Sequence, residues 1–159
     1  MTAKLSISVT VNGTAHAAEV EPRLLLADFL RENLDMTGTH VGCEHGICGA
    51  CTVLMDGDSV RSCLTLAVQA DGASVETVES LGDIEALGPL QEAFREHHAL
   101  QCGFCTPGML MTATDMLRKY DLATDDDIRD GLSGNICRCT GYQNIVAAVR
   151  SAADKRDAK

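Results

Sequence analysis

The eight cysteines of this 159-residue chain are the residues whose type and spacing point most directly to chemistry. They fall into two groups of four with none left over. The amino terminus alternates apolar and polar residues and lacks the apolar core of a secretion signal, so a disulfide framework is not indicated. Clustered thiols in a reducing cytoplasm, where we expect this protein, more often bind metal. The first tetrad is Cys43, Cys48, Cys51 and Cys63, and the second tetrad is Cys102, Cys105, Cys137 and Cys139.

The first tetrad has the spacing of a plant-type [2Fe–2S] site, C-x4-C-x2-C followed by a fourth cysteine after eleven more residues. Gly42, Gly46 and Gly49 are interleaved with these cysteines, which lets backbone N–H groups approach the sulfur atoms. A structural zinc site is the alternative, but its usual signature is two short C-x2–4-C knuckles. His45 lies within the loop, yet it need not be a ligand because all four cysteines are present, whereas a Rieske centre replaces two of them by histidines.

The second tetrad combines a C-x2-C pair with a C-x-C pair. The first pair precedes Thr106-Pro107, which predict the N-cap and first residue of a helix whose positive end would favour thiolates. A C-x-C pair is less usual for zinc and so favours a cluster, although zinc stays open on spacing alone. Arg138 lies between the last two cysteines and Gln101 precedes the first. Spacing does not decide whether either of them contacts a cofactor or solvent.

The elements that must position the two tetrads differ in type, because strand signals occur almost only in the first half. Asn12-Gly13 and Asp56-Gly57 predict two tight hairpins. The first half is predicted to contain a strand over 5–11, a return strand ending near Val20, a helix opening at Pro22 with the apolar face Leu25, Leu26, Phe29, Leu30 and Leu34, a hairpin over 52–63 and a closing strand over Ser74–Val78.

Helical signals follow a linker predicted over residues 79–88. Thr124 with Asp127 has the pattern of a capping box. The predicted elements are a helix over Pro89–His98, a helix from Thr106 with Met109, Ala113, Met116, Leu117 and Tyr120 on one face, a helix from Thr124 to about Leu132, a last helix with Ile145, Val146 and Val149, and a frayed tail over Asp154–Lys159. The sequence therefore predicts an α+β chain of two domains, 1–78 and 79–159, each with one tetrad.

Composition and motifs exclude several other functions. The net charge of −10 repels phosphate backbones, and aromatic residues are only 3% of the chain, so we expect no nucleic-acid partner. No run approaches the ~18 apolar residues of a transmembrane segment. Neither a G-x-G-x-x-G nor a G-x4-G-K-[ST] fingerprint is present, so no nucleotide site is predicted. We assign no catalytic base or nucleophile.

Three cysteine-anchored segments together resemble the small [2Fe–2S] subunit of the molybdenum hydroxylases, the family of xanthine oxidase and aerobic carbon monoxide dehydrogenase. They match it in order and spacing over nearly the whole chain, without a departure inside them. The segments are Gly42-Cys-Glu-His-Gly-Ile-Cys-Gly-Ala-Cys-Thr-Val53, Gln101-Cys-Gly-Phe-Cys-Thr-Pro-Gly-Met109 and Gly134-Asn-Ile-Cys-Arg-Cys-Thr-Gly-Tyr142.

The resemblance implies a ferredoxin-like β-grasp domain followed by a helical-bundle domain, with one [2Fe–2S] cluster in each. It implies partners as well: a large subunit with molybdopterin and a medium subunit with FAD, in a dimer of heterotrimers. Gln101 and Cys139 would contact the pterin, and electrons would pass singly from molybdenum through the second-tetrad cluster and then the first-tetrad cluster to FAD. The substrate is expected to be an N-heterocycle or similar small molecule, with carbon monoxide second.

Two other hypotheses remain open on the sequence. The first hypothesis is that the chain is a diffusing ferredoxin-like electron carrier. A carrier needs only one small cluster domain, so the helical half would then have no role. Alternatively, it would be a zinc-stabilised interaction protein without redox function. Metal analysis separates the zinc protein from the cluster proteins, and size on gel filtration separates a carrier from a subunit of a complex.

Overall fold

The computed structural model describes residues 3–157 and contains one mixed sheet followed by a group of helices. The strands are β1 Leu5–Val11, β2 Thr14–Val20, β3 Thr52–Met55, β4 Asp58–Arg61 and β5 Ser74–Glu76. The helices are α1 Leu26–Asp28, which continues as a π-helical turn over Phe29–Asn33, then α2 Pro89–Glu96, α3 Thr106–Lys119, α4 Asp125–Gly131 and α5 Gln143–Asp157. Short 3-10 turns cover Ala67–Ala70 and Val78–Leu81. We call residues 5–76 the sheet half and residues 89–157 the helical half.

The sheet has the strand order β2-β1-β5-β3-β4. Strands β1 and β5 are parallel, and the other neighbouring pairs are antiparallel. Both predicted hairpins are confirmed, since each turns through two residues with positive φ, as a two-residue connection of this type requires. These residues are Asn12 and Gly13 in one hairpin and Asp56 and Gly57 in the other.

Each half buries its own apolar core. In the sheet half the alternating residues of β1 and β5 pack against Phe29 and Leu30, which are fully buried. In the helical half the cluster is built by α2, α3, α4 and α5, with Phe94, Met109 and Ile145 at most 1% exposed. Within residues 3–157 no helix is long and apolar enough to cross a membrane.

The prediction that Pro22 opens a helix was wrong. Helical structure begins only at Leu26, because the preceding backbone is extended and pairs with a distant segment. The amide of Leu26 donates to Thr65 O at 2.7 Å, and the amide of Ala67 donates to Leu24 O at 2.8 Å. Apolar residues with helical spacing therefore lie partly in a strand-like stretch, which tertiary hydrogen bonds hold out of the helix.

Several predicted boundaries also differ from the structure. Strand β5 ends at Glu76 rather than Val78, because the next amide, that of Thr77, donates to the side chain of Asn12. Helix α3 has Cys105 as its N-cap, so Thr106 is its first helical residue. Helix α5 continues to Asp157 instead of fraying from Asp154, while residues 158–159 lie outside the described part. The capping box of Thr124 and Asp127 is confirmed.

The two halves meet where the carboxyl end of α3 faces the sheet. Arg118 forms a bidentate ion pair with Glu76 of β5, at 2.7 and 2.9 Å, and this hydrogen bonding lowers the pKa of the Glu76 carboxyl. The next residue, Lys119, bridges Asp58 of β4 and Asp115 of its own helix, each at 2.5 Å. These contacts attach the carboxyl end of α3 to the central strand β5 and to the first residue of β4.

Candidate metal centres

The first tetrad is assembled by the long loop before β3 and by the hairpin β3–β4. Cys51 directly precedes β3 and Cys63 follows β4 by two residues, in a turn rather than in the strand itself. The pairing of the two strands places these two buried thiols side by side. Cys43 and Cys48 lie in the loop, and their side chains contact each other in the same way.

The loop directs backbone donors at one sulfur, as the glycine pattern predicts. The amides of His45 and Cys48 each lie 3.4 Å from Cys43 Sγ. The amide of Cys48, followed by that of His45, lowers the pKa of Cys43 to about 6. The ring of His45 is not directed at the thiols, because its Nδ1 donates to the carbonyl of Cys43. A Cβ on Gly42 would lie 3.1 Å from Cys48 Sγ, so a larger residue would crowd the sulfur.

The second tetrad is assembled at the amino terminus of α3 and in the turn between α4 and α5. Cys105 is the N-cap of α3, and its side chain contacts that of Cys137. Cys139 Sγ lies 3.6 Å from Cys102 Sγ, and both of these residues are exposed. The eight cysteine side chains therefore approach one another in four pairs, two in each half.

Thr140 provides the strongest donors to a sulfur in the second tetrad. Its hydroxyl lies 3.1 Å and its amide 3.4 Å from Cys137 Sγ. Burial of Cys137 opposes ionisation, but these hydrogen bonds hold the pKa of its thiol below the ordinary value. The Cys137 amide in turn donates to the hydroxyl of Tyr142 at 3.0 Å. The sequence identified this motif without assigning a role to Thr140 or Tyr142.

Two of the thiols resist ionisation in the folded chain. Burial, together with hydrogen bonding to Cys51, raises the pKa of Cys63 to about 11. Burial and the neighbouring Cys137 raise the pKa of Cys105 to about 12, so its N-cap position on α3 does not by itself favour the thiolate. Thiols of this kind ionise when a cation replaces their protons. The paired sulfurs and the N–H donors fit a two-iron cluster, which takes two thiolates per iron.

Residues 3–157 contain no group of three His, Cys, Asp or Glu side chains arranged around a single metal-ion position.

Both halves of the chain match known protein families. Residues 9–78 match the family described as a 2Fe-2S iron-sulfur cluster binding domain, and residues 77–150 match the family described as a [2Fe-2S] binding domain. Two such domains account for two [2Fe–2S] clusters on one chain.

Two proteins that are similar to this chain over most of its length identify the family more narrowly. The caffeine dehydrogenase subunit gamma of Pseudomonas sp. (strain CBB1) is 60% identical over 148 residues, which are 91% of this chain and 89% of the relative. The nicotine 6-hydroxylase small subunit of Paenarthrobacter nicotinovorans is 58% identical over 149 residues, 94% of this chain and 90% of the relative. This chain belongs to the small iron–sulfur subunits of the molybdenum hydroxylases.

A solved structure confirms that likeness in three dimensions. The crystal structure of quinoline 2-oxidoreductase from Pseudomonas putida 86 superposes with a TM-score of 0.92 at 52% sequence identity, covering 98% of this iron–sulfur subunit and 97% of the matched chain. The subunit is thus an electron-transfer component of an oxidoreductase, and its mixed fold is that of iron–sulfur domains in this family.

The remaining residues that the sequence singled out lie at the surface of this iron–sulfur subunit. Gln101 and Arg138 are both exposed. Sequence reasoning missed Arg61 and Asn135, which connect the two cluster loops through hydrogen bonds across the halves. Asn135 lies inside a recognised motif and is only 3% exposed. The only signal available in the sequence was its position two residues before a cysteine.

Proposed function

We propose that this chain relays electrons one at a time between two partner subunits of a molybdenum hydroxylase. Electrons would enter the helical half from a molybdopterin cofactor on a large subunit and leave the sheet half for FAD on a medium subunit. The observation that carries this proposal is the pairing of two [2Fe–2S] domains in one chain, with one thiol tetrad in each. Each cluster, when bound, supplies one-electron redox chemistry.

The ligands in this proposal are the eight cysteines, and their contacts suggest how they divide between the irons. In the first tetrad, Cys43 would share one iron with Cys48, and Cys51 the other with Cys63, as their side-chain contacts indicate. In the second tetrad, Cys105 with Cys137 and Cys102 with Cys139 form the corresponding pairs. Hydrogen bonds to Cys43 and Cys137 would stabilise negative charge on the sulfurs and so tune the potentials.

The proposed domains are 1–78, a ferredoxin-like β-grasp domain, and 79–159, a helical-bundle domain. The parallel β1–β5 pair at the centre of a mixed sheet supports the first assignment. Two separate apolar cores support the division. The turn Val78–Leu81 between them packs Val78 and Leu81 against the helical core, in accord with a boundary at this point.

The surface beside the cysteines supports docking of partner subunits there. Four exposed large apolar residues are each the direct sequence neighbour of a tetrad cysteine: Ile47, Leu64, Phe104 and Ile136, from 46% to 64% exposed. Gln101, Cys102 and Cys139 are exposed together. A pterin on the large subunit would reach the helical half at this point, with the Gln101 amide as its hydrogen-bonding partner and Cys139 in contact through its sulfur.

The proposed substrate class is N-heterocyclic compounds, and the proposed assembly is a dimer of heterotrimers. The relatives and the solved structure described above are named for caffeine, nicotine and quinoline, all N-heterocycles. Carbon monoxide is the second candidate, on family resemblance only. The substrate site belongs to the large subunit in this proposal, since this chain has no catalytic residue assigned to it.

Purification of the affinity-tagged chain from its native cells tests the assembly. We expect molybdenum and FAD to co-elute with about four irons per chain, in a complex much larger than the 16.9 kDa of this chain alone. A 16.9 kDa species with iron and no molybdenum or flavin would indicate the diffusing carrier instead. Zinc without iron or acid-labile sulfide would indicate the interaction protein.

Replacement of Gln101 by Ala is expected to slow the entry of electrons without changing the clusters. Loss of an outer hydrogen bond to a cofactor typically costs ~10–100-fold in activity. We expect normal iron content and a slowing of that size when the complex is mixed with caffeine, nicotine or quinoline and cluster bleaching is followed by stopped-flow absorbance. Gln143→Ala, at another exposed glutamine, is the matched control. Equal rates for both variants would contradict the proposed pterin contact.

A further inference from the structure

The carbonyl of Gly49 lies at the centre of a buried hydrogen-bond network between the two halves. It accepts from the hydroxyl of Thr52 at 2.6 Å and from Asn135 Nδ2 at 3.1 Å. The other side of the Asn135 amide, Oδ1, accepts from the hydroxyl of Thr112 on α3 at 2.9 Å. Thr52, Thr112 and Asn135 are 2%, 7% and 3% exposed. The Asn135 side chain is therefore fixed at both ends, once by each half.

Arg61 closes this network into a ring. Its Nη1 donates to Thr52 Oγ1 at 2.7 Å, and its Nη2 donates to the carbonyl of Gly134 at 2.8 Å. Gly134 directly precedes Asn135, so the first-tetrad loop and hairpin together bind the second-tetrad turn at two consecutive residues. We call this ring of Gly49, Thr52, Arg61 and Gly134–Asn135, together with Thr112 attached to it, the interhalf network.

The approach of the two halves at this network leaves no space for a side chain. A Cβ on Gly49 would lie 2.6 Å from both Asn135 Nδ2 and Gly134 O, and Gly49 itself has a φ of +72°. A fully satisfied polar network in a low-dielectric interior is rigid and specifies one arrangement. Loss of one partner leaves a buried polar atom unpaired, which costs about 1–3 kcal/mol.

The interhalf network lies beside a direct connection between the two tetrads. The amide of Ile136 donates to the carbonyl of Cys48 at 2.9 Å. Ile136 is followed by Cys137 in the sequence, so one hydrogen bond joins the backbone of a first-tetrad cysteine to the residue before a second-tetrad cysteine. Asn135, the residue before Ile136, is held by the interhalf network next to this amide, and the amide of Cys137, the residue after it, donates to the Tyr142 hydroxyl.

We propose that Asn135 is a positioning residue that holds the Ile136 amide on the Cys48 carbonyl and thereby sets the electronic connection between the two cluster sites. The inference rests on the proposed function, because it takes each tetrad to bind a [2Fe–2S] cluster. It assigns a role to a residue that is neither a ligand nor a contact of a partner cofactor. The interhalf network acts through Asn135, so changes at Thr112 or Arg61 act on the same connection.

Substitution of Thr112 tests this role with little change in shape. Thr112→Val removes the hydroxyl that orients the Asn135 amide, and Thr112→Ser restores it. Thr114→Val is the matched control on the same helix, because its hydroxyl donates only to Leu110 O within α3. Two readouts apply to the iron-loaded complex: the magnetic splitting between the two reduced clusters in EPR spectra, and hydrogen exchange of peptides covering 134–140 measured by mass spectrometry.

We expect Thr112→Val to retain its iron, to lose or narrow the splitting, and to exchange the Ile136 amide about tenfold faster, as one unpaired buried partner implies. Thr112→Ser and Thr114→Val should match the unmodified protein in both readouts. Unchanged splitting in Thr112→Val would overturn the inference. If that variant loses iron, Arg61→Met breaks the interhalf network from the opposite side, and unchanged splitting there would overturn it as well.

The unmodified complex separates this inference from the proposed function. Two clusters without any magnetic splitting would overturn the inference and leave the relay in place. A complex without iron would contradict the relay itself. The hydrogen-exchange measurement adds a readout that does not depend on turnover, and slow exchange of the Ile136 amide in the unmodified complex is required by the inference.

Discussion

The Cys63→Ala variant is expected to contain about two irons per chain, where the unmodified subunit contains about four. Cys63 is 3% exposed and contacts Cys51, so its loss leaves the first site with three thiolates and one iron without its second ligand. The second tetrad lies in the other half and packs in a separate core, so its cluster should persist. Iron and acid-labile sulfide analysis, with EPR of the reduced protein, measures both.

Cys139→Ala removes a ligand of the second tetrad and is the control for Cys63→Ala. Cys139 is exposed, so its side chain contributes little to packing, and its removal should eliminate only the second-tetrad cluster. The EPR signal lost in one variant should be the signal retained in the other. Retention of four irons in either variant would show that the ligand assignment is wrong, and loss of all iron in both would show that the two sites do not form independently.

Gly108→Ala is the second substitution with a large expected effect. We expect it to lower the free energy of unfolding, whereas replacement of a helical glycine by alanine usually raises it. Glycine inside a helix normally costs roughly 0.5–1 kcal/mol relative to alanine, so this change would ordinarily stabilise α3. Here a Cβ would clash with the carbonyl of Gly49 and lie 2.9 Å from the Cα of Ala50. Both are backbone atoms in the first-tetrad loop and cannot move aside alone. We expect a loss of roughly 1–3 kcal/mol in unfolding free energy, or more.

Urea unfolding of the Gly108→Ala variant measures this loss, and Gly131→Ala supplies the control. At Gly131 a Cβ would meet the side chain of Met116, with Sδ at 2.7 Å, and a flexible thioether can change its rotamer. Gly131→Ala should therefore remain within about 1 kcal/mol of the unmodified protein. A Gly108→Ala variant as stable as the control would mean that the two halves do not pack at this distance.

The local elements were predictable because short-range chemistry determines them. Asn12-Gly13 and Asp56-Gly57 form their hairpins, and Thr124 with Asp127 caps its helix, since each signal acts within a few residues. The thiols predicted to share a site are in contact in pairs within each half. The short spacings within each cysteine motif carry this information, because a loop that wraps a cluster must present neighbouring ligands a few residues apart.

Features that depend on distant segments were not predictable from one sequence. The segment after Pro22 has helical apolar spacing, but hydrogen bonds from residues 65–67 hold part of it extended. The roles of Arg61 and Asn135 arise only where the two halves meet, and nothing in their neighbourhood along the chain identifies them. The helix-terminus argument for Cys105 was also incomplete, because burial and the neighbouring Cys137 raise the pKa of its thiol.

EPR spectroscopy of the dithionite-reduced complex, purified with its native metals and partners, tests the central claim most directly. We expect two distinguishable spin-one-half signals that integrate to about two spins per chain, one for each tetrad. The same preparation should contain iron and acid-labile sulfide in equal amounts. An EPR-silent sample with stoichiometric zinc, from a preparation shown to retain its native metals, would contradict the electron-relay function.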